Sequence, residues 1–258
     1  MNKITILAAM IGICSIQANA QESQTNKGEI DSTSIVDVTS IIVDVESLEI
    51  NSTSVGNNIS VVVSDASNPL VVDLNQTNSA LINSEARLNA PSIQNTGLIS
   101  VESTSVANNT GIQGATVSPV SQVNTESVTS ISELTATEVT GVESLGVSST
   151  AVANNFDGDK IIVDATILQT NGSPVTSIST LNASDSLSNT QVASVASQGI
   201  GNSVSLNEVQ RVGIQQSNLG DIQSITNIDT STMDTMGSVS ASASAIGNNI
   251  RISVGNGN

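Results

Sequence analysis

The chain has 258 residues, with one Phe, no Trp, Tyr or His, and a single Cys. It therefore lacks the large aromatic side chains that usually dominate a core, and most of the side chains that catalysis and zinc binding use. Six basic residues against 23 acidic ones give a formal net charge of −17, the wrong sign for nucleic acid or for an anionic membrane surface.

The first twenty residues have the layout of a secretory signal peptide: Lys3 as a minimal positive start, a short apolar run from Ile4 to Ile13, and the small-x-small site Ala18-Asn19-Ala20. Cleavage there is expected to make Gln21 the first residue. Cys14 follows Ile13 rather than a small residue, so lipidation is not expected. Its removal leaves no disulfide, thiolate or zinc–sulfur site. No other apolar stretch is long enough to span a bilayer.

From residue 21 onward the chain repeats. A Gln-x-Asn triplet occurs at Gln24, Gln76, Gln122, Gln169 and Gln216, at steps of 52, 46, 47 and 47 residues. A second marker, an apolar residue, a small residue and Asn-Asn or Asn-Ser, begins at Val55, Val106, Val152, Ile200 and Ile246. It follows each triplet by a nearly constant interval, so two independent markers keep step. Between them, apolar columns recur: Ile30, Ile82, Val128, Val175, Ile222; then Val36, Leu88, Leu134, Leu181, Ile228; then Leu48, Ile99, Leu145, Ala193, Val239; and Ile50, Val101, Val147, Val195, Ala241. The copies run over about 22–75, 76–121, 122–168, 169–215 and 216–258 of a single repeat domain, 21–258. The first carries an insertion near Asn68-Pro69, and Pro91, Pro119 and Pro174 are expected near turns.

The alternation in Ser238–Val254 has period two on either side of Gly247-Asn248-Asn249, which reads as strand, turn, strand. The three-residue spacing of Val128, Ile131 and Leu134 suggests a helical face, but the run is rich in Thr, Ser and Val, which favour strands. One copy alone cannot offset its ordering entropy with so few large apolar groups, so copies must stack, like residue on like. The expected fold is all-β, a β-solenoid in which each copy of about 47 residues makes one long coil or two shorter ones. The residues singled out are structural turn and ladder residues: Asn57, Asn58, Asn108, Asn109, Asn154, Asn155, Asn202, Asn248 and Asn249, with Gln24, Gln76, Gln122, Gln169 and Gln216. No catalytic, cofactor or metal residue is identified; Asp157-Gly158-Asp159 is the one place for a calcium ion to be considered, and it occurs in a single copy.

The Gln-x-Asn-x-Gly of 24–28 and 216–220 loosely resembles the repeats of curlins. The Val-Gly-Asn-Asn of 55–58 and Val-Ala-Asn-Asn of 106–109, after Val- and Ser-rich strands, resemble the holdfast attachment protein D group of stalked bacteria. That resemblance spans the repeated chain. It implies a secreted, non-enzymatic surface protein, a fibre subunit or anchor for attachment or biofilm. The implied partners are itself, a surface polysaccharide and a curli-type outer-membrane export pore. Two other functions stay open. One is a monomeric solenoid binding a polysaccharide or ice through a flat face on which Thr53, Thr104 and Thr150 share a column that Gln198 and Ser244 break. The other is a polysaccharide-processing β-helix enzyme, for which paired acids without His or clustered basic residues are meagre support.

Overall fold

Side chains that alternate in and out with period two, and columns that recur every 46–52 residues, place each copy on the copy before it. The computed structural model describes residues 3–11, 21–63, 71–163, 166–209 and 213–254. These form three parallel sheets, and each copy contributes one strand or strand pair to each sheet. The fold is a β-solenoid with one coil per copy, not two. Five coils at about 4.8 Å each make a stack only about 24 Å tall, so the body is a wide coil with few rungs.

The long face is made of five 16-residue strands, Ser47–Val62, Leu98–Gln113, Ser144–Asp159, Val192–Asn207 and Ser238–Ser253. The middle face comprises Ile30–Asp37, Ile82–Gln94, Val128–Thr140, Val175–Ser188 and Ile222–Thr230, with Ile42–Val43 and Met233–Asp234 extending its outer rungs. The short face comprises Gln21–Asn26, Val71–Asn78, Thr116–Asn124, Thr166–Asn171 and Gly213–Asn218, with Ile162–Val163 beside Thr116 and Val117. Lys3–Ile11 adds a sixth strand to the long face, parallel to Ser47–Val62 with Lys3 beside Ser47 and Ile11 beside Val55. Cys14 and the proposed cleavage site lie outside the described residues, as does the insertion at Asn68-Pro69.

The apolar columns read from the sequence are ladder columns. Ile30, Ile82, Val128, Val175 and Ile222 are register partners, as are Val36, Leu88, Leu134, Leu181 and Ile228. Leu88, Leu134 and Leu181 pack against Ile50, Val101, Val147 and Val195 in one buried cluster between the middle and long faces. A second cluster, around Ile59, Leu74, Ile112, Val120, Phe156, Ile167 and Leu206, fills the space between the long and short faces. Residues 128–140 are strand, and Ile131 points outward while Val128 and Leu134 are buried. The three-residue spacing joins positions on opposite faces of a strand and carries no helical meaning.

The small-Asn-Asn segments are not reverse turns. Gly56-Asn57, Ala107-Asn108 and their equivalents lie inside the 16-residue strands, and the ladder passes over the small residue: Val55 pairs with Val106, then Asn57 with Asn108. Ser105, Ala107 and Asn108 are all buried, so the inward phase shifts by one residue there and the long strand turns from the middle face toward the short face. A small side chain is needed because a Cβ at Gly56 would lie 2.6 Å from the Ala107 carbonyl oxygen, and one at Gly201 would lie 2.6 Å from that of Gly247. Reversals of direction happen elsewhere. Asp44, Asn95, Gly141, Asn189 and Thr235 share a left-handed backbone conformation with φ between 49° and 66°, stacked at the corner between the middle and long faces. Gly, Asn and Asp enter that region readily; Thr does not.

The prolines also depart from expectation. Pro174 lies between strands, but Pro91 and Pro119 lie within them. Each falls where the ladder passes it by: Ala90 and Ser92 pair with Ala136 and Glu138, and Val117 and Val120 with Val72 and Leu74. A residue outside the ladder needs no N–H, so proline fits.

Phe156, the one aromatic residue, is fully buried in a column with Ile59, Thr110, Val204 and Ile250. Gly158 keeps the neighbouring space open, since a Cβ there would stand 2.5 Å from Ile161 Cδ1, 2.9 Å from Leu206 Cδ2 and 3.2 Å from the ring. Phe156→Ala is expected to destabilise the protein by about 3–5 kcal/mol in urea unfolding, whereas Phe156→Leu, which refills most of the space, costs less than half of that.

Candidate functional site

In a solenoid the unit that can act is a column repeated up the stack, so the site is built from columns. The sequence-designated amides fall into three of them, and the asparagines of the Gln-x-Asn triplets make a fourth. Asn57, Asn108, Asn154, Asn202 and Asn248 follow the shift in the long face. Each Nδ2 donates to the Oδ1 of the next rung at 2.7–2.8 Å. The same amide nitrogens donate across the interior to the carbonyls of Thr77, Val123, Thr170 and Ser217 at 2.8–3.0 Å, which ties the long face to the short one.

The Gln-x-Asn triplets end the short-face strands. Asn26, Asn78, Asn124, Asn171 and Asn218 form a ladder that also donates upward, at 2.8–2.9 Å. Their second N–H bonds close the corner two residues on, to Ala80, Glu126, Ser173 and Gly220. The glutamine ladder runs the other way: Gln76 donates to Gln24, Gln122 to Gln76, Gln169 to Gln122 and Gln216 to Gln169, at 2.7–3.3 Å. Every glutamine also donates to a long-face carbonyl, Asn58, Asn109, Asn155, Ser203 or Asn249 in turn. In the remaining column Asn155 donates to Asn109, and Asn109 to Asn58, at 2.7–2.8 Å, while Asn249 meets Ser203 at 3.5 Å.

Burying an amide without partners costs about 1–3 kcal/mol per stranded group, so these columns are stable only when neighbours match. In the inner rungs Gln76, Gln122, Gln169, Asn78, Asn108, Asn124, Asn154, Asn171 and Asn202 are fully buried.

Two further columns went unnoticed in the sequence. Ser52, Ser103, Ser149 and Ser197 on the long face meet Ser32, Ser84, Ser130, Ser177 and Ser224 on the middle face, with Oγ–Oγ distances of 2.6–3.0 Å. Ser54 and Ser105 reach the opposite backbone, at the carbonyls of Asn83 and Thr129. These hydroxyls form a narrow polar waist where the two sheets approach closely. The signal was their phase: Ser52 and Ser54 continue the inward alternation of Leu48 and Ile50. Serine in a repetitive, Ser-rich chain reads as a solvated residue, and the phase was passed over.

The outer surface is sparse. Thr53, Thr104, Thr150, Gln198 and Ser244 are register partners on the outside of the long face. Asp157 is exposed, and the Asp159 carboxylate accepts from Asn207 Nδ2 at 2.8 Å and from Gln113 Nε2 at 3.3 Å. Among the described residues no group of three or more His, Cys, Asp or Glu is placed to hold a metal ion. Arg87 pairs with Glu85 on its own strand and with Glu133 on the next rung.

The family that matches this repeat pattern is holdfast attachment protein D, over residues 9–258. The chain belongs to the holdfast attachment protein D family. The match includes all five coils. Membership gives the protein a role in surface attachment and a place at the bacterial cell surface. No curated protein and no solved structure matches the chain. The amide ladders hold the coils of this stack together.

The ladders can be tested one rung at a time. Asn154→Leu strands the buried Asn108 donor and Asn202 acceptor and the part-buried Thr170 carbonyl, and is expected to cost on the order of 3 kcal/mol or more. Asn248→Leu, on the exposed last rung, strands only the Asn202 amide one rung inward and is expected to cost about 1 kcal/mol. Urea titrations followed by circular dichroism measure both; equal costs would show that the ladder is not cooperative with burial.

Proposed function

We propose that the protein is exported with residues 1–20 removed and serves as a structural anchor or fibre subunit. In this reading it ties the adhesive surface polysaccharide to the cell envelope and involves no catalytic step. The observation that carries this reading is the family match over residues 9–258, together with a solenoid among the described residues whose buried polar side chains hold the coils together. The outer long face, with hydroxyls and amides in regular columns, offers glycan contacts at a spacing of about 4.8 Å along the stack. Passage through a dedicated outer-membrane pore of the curli type belongs to the same reading.

The net charge of −17 sets the conditions for self-association. Copies repel one another at neutral pH, and protonation of carboxylates, which as a class titrate near pH 4, reduces that repulsion. Purified mature protein is expected to form fibres faster near pH 4 than near pH 8, as followed by light scattering and electron microscopy. Protein recovered from the cell envelope is expected to begin at Gln21 on N-terminal sequencing. Deletion of the gene is expected to leave cells that make adhesive polysaccharide but shed it into the medium; cells that keep it bound would refute the anchoring role.

A further inference from the structure

The two ends of the stack are complementary. On the last rung the core side chains are bare: Val239, Ile250 and Ile252 are 40%, 51% and 45% exposed, against 0–1% for their partners Ala193, Val204 and Leu206 one rung inward. On the short face, the Gln216 Oε1 is buried without a hydrogen-bond partner. In every lower rung that atom accepts from the Nε2 of the following glutamine, so Gln216 lacks the donor that a sixth coil would bring. The Asn248 Nδ2 likewise has no acceptor above it, among the described residues, where each earlier asparagine of its column has one.

From these observations we propose that a second copy supplies the missing coil. The first rung of one molecule seats on the last rung of another, parallel and in the register that already runs through the chain. The contact is head to tail and open-ended, so it propagates. Continuing the columns by one step puts Ile250 on Ile59, Ile252 on Val61 and Val239 on Leu48. Gln24 of the incoming copy donates to the vacant Gln216 Oε1, since its own Nε2 makes only the bond to the Asn58 carbonyl. Asn248 donates to Asn57, and Asn218 to Asn26, with the polarity of the internal ladders.

The receiving edge is covered in the full chain. Lys3–Ile11 occupies the edge of Ser47–Val62 on which the next long strand must sit. The segment thus caps the precursor, and its removal with residues 1–20 opens the edge; this part rests on the processing and self-association proposed above. The remaining chain keeps all fifteen principal strands of the five coils, and the opposite long-face strand, Ser238–Ser253, already stands with one edge unpaired. The joint also sets acid against acid: Asp229 falls on Asp37, in a column otherwise filled by Asn89, Thr135 and Asn182. That repulsion slows stacking without blocking it.

The test compares three proteins by sedimentation velocity and electron microscopy: chain beginning at Gln21, the same chain carrying Ile250→Asp, and the full chain with Ala20→Phe to block cleavage. The first is expected to form stacks, and the other two to stay monomeric with unchanged strand content by circular dichroism. Asp229→Asn is expected to speed stacking several-fold. Register is read from the pair Thr53→Cys with Ser244→Cys in the Gln21 chain, which has no other cysteine. Oxidation should give a ladder of covalent multimers, whereas Glu49→Cys with Ser244→Cys, two columns apart, should not. A monomeric Gln21 chain at high concentration, stacking by Ile250→Asp, or cross-linking in the wrong columns would overturn the head-to-tail joint. Stacking by the cleavage-blocked chain would overturn the cap. Attachment is scored separately, by complementing the deletion with Ile250→Asp. Retained attachment without stacking would leave the anchoring role standing, and stacking by the Gln21 chain that restores no attachment would do the reverse.

Discussion

In the inner coils each fully buried amide among the described residues has its partner one rung away. The inner Asn and Gln columns accept and donate along the stack and across it, so no single coil can satisfy its own polar interior. That constraint fixes register: a slip by one residue would turn the whole amide and aliphatic set outward and strand each donor. It also explains how a chain with one aromatic residue holds together. Small β-branched and aliphatic side chains stacked on their own kind fill columns evenly, and the amides between them make the spacing unique.

Stacking like on like would be ruinous for charge, and the outer columns avoid it. Asp37 sits beside Asn89, Asp31 beside Asn83, and Asp159 between Gln113 and Asn207. The acids recur, but in no register pair among the described residues does one carboxylate face another. Amide neighbours donate to them instead, at 2.7 Å for Asp37 and 2.8 Å for Asp31. A solenoid can therefore carry many negative charges while its rungs attract, because repulsion falls between more distant rungs, where water and salt screen it.

In the anchoring role proposed above, resistance to being pulled apart matters more than a pocket. Parallel strands loaded together, with amide ladders bridging the long and short faces, share strain among many bonds. The serine waist adds contacts between the middle and long faces where no bulky side chain would fit. These features follow from repetition, and the family match spans all five copies.

The sequence by itself determined the repeat, the all-β class and the inward columns. Each rests on periodicity, which stacking preserves residue for residue: Ile30 to Ile222 and Leu48 to Val239 are columns in both. The amide residues were legible for the same reason. Tertiary structure decided what those residues do. Asn-Asn after a small residue suits a reverse turn locally, but the coil uses it to shift the inward phase within a continuous strand, because the long face must pack on two different sheets. The corner between the middle and long faces, at Asp44, Asn95, Gly141, Asn189 and Thr235, shares a backbone conformation but no residue type, so no motif announced it. The buried serines were hidden by composition, since only the approach of a second sheet distinguishes an inward hydroxyl from a solvated one. The number of coils per copy was likewise open until the three faces closed, because period and coil length are different quantities until the chain returns to its own edge.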